Sequence, residues 1–234
     1  MIHILFCIDE NYKKHCKTVM RSILANTKSE ICFHIVGVET FDFEANIRLY
    51  PIPNTNIIKH RNVLNYITHT AVYRLFAPKM LDVDKVIYLD ADLVVLDDIQ
   101  KLWDIEVDYI AGVQDGMYKT HAERNDLTNT YINSGVMVMN LANLRKINYF
   151  ERIEHCQNGF YDMSLLDQDI VNIAFGEFIQ LLPEKWNVYS KKYPELTSAM
   201  IKARQKPSII HWCGRKKPYN AYVWQQDKWS KYDR

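Results

Sequence analysis

The stretch VIYLDADLVVLDDI, residues 86 to 99, constrains this chain more than any other. Val86 to Leu89 and Leu93 to Val95 read as buried strand, yet Asp90 and Asp92 stand between them, separated by Ala91 alone. Two anions a few ångströms apart in a low-dielectric cleft repel each other and resist desolvation, so they need a proton, a set of donors or a cation. An i, i+2 pair on extended chain points both side chains to one face, and hard cations such as Mn²⁺ and Mg²⁺ take carboxylate oxygens. The pair is therefore expected to hold a divalent metal at the end of a buried strand. The plainer reading is a polar strand-to-turn junction.

The 234 residues suffice for a substantial core, and 29 Lys and Arg against 28 Asp and Glu leave a net charge of +1, which gives no general reason to expect nucleic acid. The charge is uneven along the chain: six acidic residues against Lys85 between Asp82 and Asp98, nine basic residues against Asp227 and Asp233 between Lys202 and Arg234. An acidic, metal-holding heart and a basic end suit a substrate that brings its own negative charge. Five scattered cysteines without a C-x-x-C pair point to reduced thiols and a cytoplasmic setting. The apolar start, MIHILFCIDENY, lacks a basic leader and reads as a strand, and no run approaches the length of a membrane span.

Taken in order, His3 to Ile8 reads as a first strand, with Asn11 as helix cap, a helix carrying Cys16, Val19, Met20 and Ile23, and a second strand over residues 31–38. This β-α-β opening predicts an α/β fold with a Rossmann-like sheet flanked by helices, in one domain. A helix is expected over residues 41–50, a short strand over 55–59, a helix over 70–76 stopping before Pro78, and a capped turn at 97–103. Residues 114–130 lack periodicity and are expected as a loop over the site. Further strands are expected at 109–113, 135–140, 178–182 and 208–212, with helices around 141–147, 149–157 and 169–174.

In chain order, FCIDENY, YRLFAPKM, VIYLDADLVVLDDIQKLW, YINSGVMVMNLANLR, LLDQDIVNIAF and IIHWCGRKKPY together resemble the family 8 glycosyltransferases, across nearly the whole sequence. That family is retaining, metal-dependent and built on the GT-A fold. Its bacterial members that extend lipopolysaccharide with galactose or glucose, and its glycogenin branch, are the relatives suggested. The resemblance implies a UDP-hexose donor (UDP-galactose or UDP-glucose), with Mn²⁺ or Mg²⁺ held by Asp90, Asp92 and His211. It also implies a glycan acceptor that is lipid-linked in some members.

Taken alone, a His at a strand end such as His211 is a structural hydrogen-bonding residue. The family's H-x-x-G-x-x-K-P pattern, met by His211, Gly214, Lys217 and Pro218, makes it the third metal ligand, with Lys217 on the departing diphosphate and Gly214 allowing close backbone approach. Tyr219 follows where the family has Trp. Asp9 and Asn11 would meet the uridine, or simply form a turn and a cap. Arg74 would bind donor hydroxyls or orient Asp90, and its plainer reading is a solvated charge. Ala91 completes the donor-binding D-x-D. Asp115 and Asn133 would read the sugar hydroxyls, or make turns. Asp167, Gln168 and Asp169 are the catalytic candidates beside Lys217. Retention by double displacement needs a carboxylate nucleophile, and the D-Q at this place favours front-side substitution instead. Asp167 or Asp169 as helix cap is the alternative.

Residues 1–219 are thus expected as the catalytic domain and 220–234 as a basic, aromatic tail suited to an anionic membrane surface, on the inner face of a bacterial membrane. Two other functions fit parts of the sequence. Asp90 to Val94 matches the D-x-D-x-[TV] of aspartyl-phosphate phosphatases of the haloacid dehalogenase type, although there the motif follows the first strand. A sugar-nucleotide-binding protein without turnover would keep the fold but has no need of every motif residue.

Overall fold

The computed structural model describes residues 1–58, 64, 68–127, 130–190 and 197–234. Except for His3, every residue of β1 (Ile2–Cys7) and of β2 (Ile31–Val36) is buried, as in parallel strands covered on both faces. They pair in parallel from Ile2↔Ile31 to Cys7↔Val36, and α1 (Lys13–Asn26) crosses between them, burying Cys16, Val19, Met20 and Ile23.

The segment expected as a helix over 41–50 ends instead in β3 (Ile47–Tyr50), parallel to β2. Ile47 and Tyr50 suit a half-covered edge strand, and a helix there would have been cut short by Pro51. Residues 55–58 turn rather than extend, with Ile58 N–H donating to Thr55 O at 2.8 Å. Lys59, the last residue of the strand expected there, lies outside the described residues.

A 3₁₀ helix, His69–Phe76, runs directly into α2 (Ala77–Met80). Pro78 therefore does not stop the helix: it sits in the first turn of α2, where its missing N–H costs nothing. β4 (Lys85–Leu89) and β5 (Leu93–Val95) flank the D-x-D, and α3 (Gln100–Trp103) follows with Asp98 accepting from Gln100 N–H at 3.0 Å. β6 (Ile110–Gln114) precedes α4 (Tyr118–Arg124), so the segment expected as a loop is partly helical; its residues 128 and 129 lie outside the described residues. β7 (Ile132–Asn140), α5 (Leu141–Leu144), α6 (Tyr149–Asn158), α7 (Asp167–Phe175) and β8 (Ile179–Leu181) come next. The chain closes with β9 (Val188–Tyr189), α8 (Ser198–Ala203), β10 (Ile209–His211) and α9 (Gln226–Ser230).

Seven strands form one sheet in the order β3-β2-β1-β4-β7-β6-β8, and β5-β10-β9 form a second, three-stranded one. β1 and β4 are parallel, whereas β7 is antiparallel to both β4 and β6. This polarity places the C-terminal ends of β1 and β4 and the N-terminal end of β7 at one edge, where α/β sheets take their ligands. The C-terminal segment is partly spent on the core: Trp229 is 1% exposed and packs edge-on against Trp212 at 5.9 Å, and Tyr232 is also buried. Tyr222 remains 95% exposed. No helix among the described residues is long and apolar enough to cross a membrane.

Candidate active site

Asp90 and Asp92 lie in a bend between β4 and β5, not on extended strand as expected. The bend brings both carboxylates towards one point, and Asp90 N–H anchors it by donating to Gly135 O at 2.9 Å across the β4–β7 boundary. Arg74, on the 3₁₀ helix, is buried rather than solvated. It pairs with Asp90 Oδ1 at 2.9 Å and Asp167 Oδ2 at 3.3 Å, donates to Ser134 O at 2.8 Å, and lies 4.0 Å from the centre of the Tyr88 ring. Tyr88 O–H also donates to Asp90 Oδ1, at 2.7 Å. Arg74 thus pairs with Asp90, as one of its two expected roles requires, and it also lines the cleft, where the other would act.

β5 pairs antiparallel with β10, with His211 opposite Leu93, so the histidine arrives beside the D-x-D. Its Nε2 is 3.0 Å from Asp92 Oδ1 and 3.6 Å from Asp90 Oδ2. Lys217 Nζ contacts Asp92 Oδ2 and donates to Trp212 O at 2.9 Å. Burial opposes ionisation of Asp92, but Lys217 and His211 outweigh it and hold the carboxyl well below the usual carboxylate range. Burial also works against charge on Lys217, and Asp92 reverses that, raising its pKa.

These residues fit a divalent cation. One ligand atom from each of Asp90, Asp92 and His211 lies within 4.8 Å of the others. Asp92 Oδ1 is buried and its near polar neighbour is His211 Nε2 at 3.0 Å, a nitrogen that would itself turn to a metal. Two carboxylates and one imidazole suit Mn²⁺ or Mg²⁺. Gly135 makes room, since a Cβ there would fall 2.3 Å from His211 Cε1 and 2.6 Å from Asp90 Oδ2, while Gly214 holds φ +84°, a backbone conformation that favours glycine. A second cluster, His3, Cys32 and His34, also brings three ligand atoms together. It is satisfied within itself, His3 Nδ1 bonding His34 Nε2 at 2.9 Å and His34 Nδ1 bonding the Tyr50 hydroxyl at 2.8 Å. Arg48 bears on both imidazoles electrostatically and disfavours a cation there.

Beside the carboxylates lies a cleft of about 440 Å³, walled by Arg74, Asp90 to Asp92, Asp115, Asn133, Asp167, Gln168, His211, Gly214 and Lys217. Most residues expected in the site therefore share one cavity. α7 delivers Asp167 and Gln168 because Asn172 ties it to β7, accepting from Ile132 N–H at 2.7 Å and donating to Ile132 O at 2.9 Å. Gln168 Oε1 accepts from Asn133 Nδ2 at 2.8 Å, and its amide approaches Asp115 Oδ2 at 3.4 Å. Asp115 Oδ1 accepts from Met117 N–H at 2.8 Å, and burial raises its pKa. Asp167 accepts from Ser134 Oγ at 2.8 Å; burial, opposed by Arg74, raises its pKa to about 6.

Three expected residues stand apart. Asp169 is fully buried and does not line the cleft: Arg124 at 2.7 Å, Tyr131 O–H at 2.5 Å and Leu165 N–H at 2.7 Å take up its carboxylate. Asp9 rather than Asn11 caps the first helical turn, accepting from Tyr12 N–H at 3.2 Å, because the chain enters α1 through that turn. Neither Asp9 nor Asn11 is in the cleft wall, which takes Tyr12 from this turn. Tyr219 stacks on His15 with centroids 3.6 Å apart, so the aromatic in the Trp position is used in packing. Sequence reasoning missed Ser134, His121 and Arg124 in the wall and Asn187 behind it. For Ser134 the signal was its place in YINSGV; α4 was hidden by its polar, aperiodic sequence.

The seven-stranded mixed sheet, with the cleft at its ligand-binding edge, has the GT-A architecture. The profile described as "Glycosyl transferase family 8" matches residues 3–222, and the chain belongs to that family. It is 29% identical to General stress protein A of Bacillus subtilis over 94% of this chain and 88% of that one. It is likewise 29% identical to a lipopolysaccharide 1,2-glucosyltransferase of Escherichia coli, over 92% of this chain and 72% of that one. The galactosyltransferase LgtC, solved with donor and acceptor sugar analogues, superposes with a TM-score of 0.79 at 21% identity, over 99% of this chain and 95% of LgtC. The phosphatase reading fails on topology as well, since the D-x-D follows β4 and not the first strand.

Proposed function

We propose that this glycosyltransferase moves galactose or glucose from a UDP-hexose to a glycan with retention at the anomeric carbon, using Mn²⁺ or Mg²⁺ held by Asp90, Asp92 and His211. The observation that carries it is the convergence of these three residues in one cleft with Lys217 on one side and Asn133 and Gln168 on the other. When bound, the metal supplies divalent charge against the departing diphosphate. Lys217 adds a monovalent charge to the same group, and Gly214 lets the backbone approach it. Asp115 and Asn133 are assigned to the sugar hydroxyls, and Asp9 and Asn11, outside the wall but in the turn that delivers Tyr12 to it, to the uridine end of the donor.

The arrangement supports front-side substitution. Asp167 is held by Arg74 and Ser134, so the wall presents the Gln168 amide where double displacement would need an unengaged carboxylate. Gln168 then stabilises the oxocarbenium-like state, and the leaving diphosphate takes the acceptor proton. A neutral hexose also suits the charge pattern. The wall's arginines and lysine are already paired, Arg74 with Asp90 and Asp167, Arg124 with Asp162 and Asp169, Lys217 with Asp92. A uronate carboxylate would have to displace one of these.

The E. coli relative's name supports lipopolysaccharide or a similar surface glycan as acceptor; a lipid-linked acceptor of that kind would be met at the inner face of the membrane. The exposed Tyr222 and the basic residues 228, 231 and 234 would contact anionic lipid. The test is Mn²⁺-dependent hydrolysis across UDP-glucose, UDP-galactose and UDP-galacturonate. Turnover of one neutral donor, abolished by Asp92→Ala and by His211→Ala, is expected. Full activity in excess chelator overturns the metal assignment, and tight UDP binding without turnover of any donor or acceptor favours a binding protein.

A further inference from the structure

Asn187 belongs to none of the sequence motifs, yet it is 1% exposed and bonded at both ends of its amide. Its Oδ1 lies 3.0 Å from His211 Nδ1, and its Nδ2 donates to Asn133 Oδ1 at 2.9 Å. The fold puts it there because it immediately precedes β9, which pairs in parallel with β10 and sets Tyr189 beside His211.

We propose that Asn187 is a positioning residue that fixes the imidazole of His211 and the amide of Asn133 together, and so couples the metal-ligand set to the sugar-facing wall. The inference rests on the reading of Asp90, Asp92 and His211 as the metal site.

An amide oxygen only accepts, so Asn187 Oδ1 requires the proton on His211 Nδ1, which leaves Nε2 as the nitrogen facing Asp90 and Asp92. The other neighbour of Nδ1 is Cys213 Sγ at 3.2 Å. A thiol can donate to a bare Nδ1 and would then permit the tautomer with its proton on Nε2, which cannot ligate a metal. Asn187 decides between the two. At its other end it fixes Asn133: with Asn133 Oδ1 taken by Asn187 Nδ2 and by Gly135 N–H at 3.1 Å, the Asn133 NH₂ is left to face Gln168 Oε1 and Asp115. One continuous path thus runs from His211 through Asn187 and Asn133 to Gln168.

The two ends separate by substitution. Asn187→Asp keeps the acceptor for His211 and loses the donor for Asn133, while Asn187→Leu loses both. Three readouts are taken on the whole protein: Mn²⁺ affinity without nucleotide, followed by the electron paramagnetic resonance of free Mn²⁺; the affinity gained by UDP-hexose over UDP; and thermal unfolding, to verify the fold. Asn187→Leu is expected to weaken Mn²⁺ binding about 10- to 100-fold, the usual cost of losing a partner behind a metal-bound histidine. Asn187→Asp is expected to bind Mn²⁺ at least as well as wild type, and both variants to lose the gain from the hexose. A folded Asn187→Leu protein with wild-type Mn²⁺ affinity overturns the inference. Should that variant not fold, Asn187→Asp decides alone: Mn²⁺ affinity kept with the sugar gain lost supports the coupling, and any other combination refutes it. A wild type that binds no Mn²⁺ removes the metal reading and the His211 half of the inference, while the Asn133 half still stands or falls on the sugar gain.

Discussion

Arg74 holds Asp90 at 2.9 Å and Asp167 at 3.3 Å from a position that is itself buried, so one guanidinium bridges two carboxylates at the edge of the cleft. Removing one member of such a cluster leaves uncompensated charge in a low dielectric. Arg74→Met is expected to lower unfolding free energy by about 3–5 kcal/mol in urea titrations. Asp167→Asn added to it should recover part of that loss, because it takes away one orphaned carboxylate and keeps an acceptor for Ser134. A double variant no more stable than the single one would show that the ion pairs are not what Arg74 contributes.

Lys217 and the metal would share the carboxylate of Asp92, so the two cations oppose each other there while acting together on a diphosphate. Lys217→Met is expected to reduce donor hydrolysis about 10²- to 10³-fold, the scale for losing one stabilising group at a developing charge. Its Mn²⁺ affinity in the absence of nucleotide should stay equal or tighten. Loss of Mn²⁺ binding along with activity would mean that Lys217 shapes the site rather than serving the diphosphate.

The polarity of the sheet was legible in part. β1, α1 and β2 follow from periodicity, although the cap falls to Asp9 and not to Asn11, and Asp90, Asp92, His211, Gly214 and Lys217, expected together from motif spacing, line one cleft. What escaped depends on distant partners. β3 is a strand because the edge of β2 is there to pair with. α4 has no apolar period, since most of it faces the cleft or solvent. Asn187 has no motif; its role exists only once β9 and β10 pair. Asp169 misled because an acidic residue at a helix start looks the same whether it faces a cleft or Arg124 and Tyr131.

Gly135 carries a constraint that sequence spacing did not reveal. A Cβ there would overlap His211 Cε1 at 2.3 Å and Asp90 Oδ2 at 2.6 Å, so Gly135→Ala must push apart the groups proposed to hold the metal. Misplacement on the scale of 1 Å costs about 10²-fold in rate, and that loss of activity is expected in a protein that still unfolds cooperatively. Gly176→Ala is the control, since a Cβ there meets nothing within 4 Å. Equal activity of the two variants would show that the packing around Gly135 yields without disturbing the site.

His34 gives the fold an acid-sensitive point away from the cleft. Burial first, then the charges of His3 and Arg48, lower its pKa from 6.5 to about 4. In the unfolded chain the imidazole regains its ordinary affinity for a proton, so below about pH 6.5 the unfolded state binds a proton that the folded state refuses. Stability from this group is therefore complete above that value, declines as the pH falls, and is spent by about pH 4. His34→Gln removes the titration, and its stability deficit relative to wild type should shrink between about pH 7 and about pH 5 in urea titrations. A deficit of the same size at both values would place the acid sensitivity elsewhere and leave His34 with only its hydrogen bonds to His3 and Tyr50.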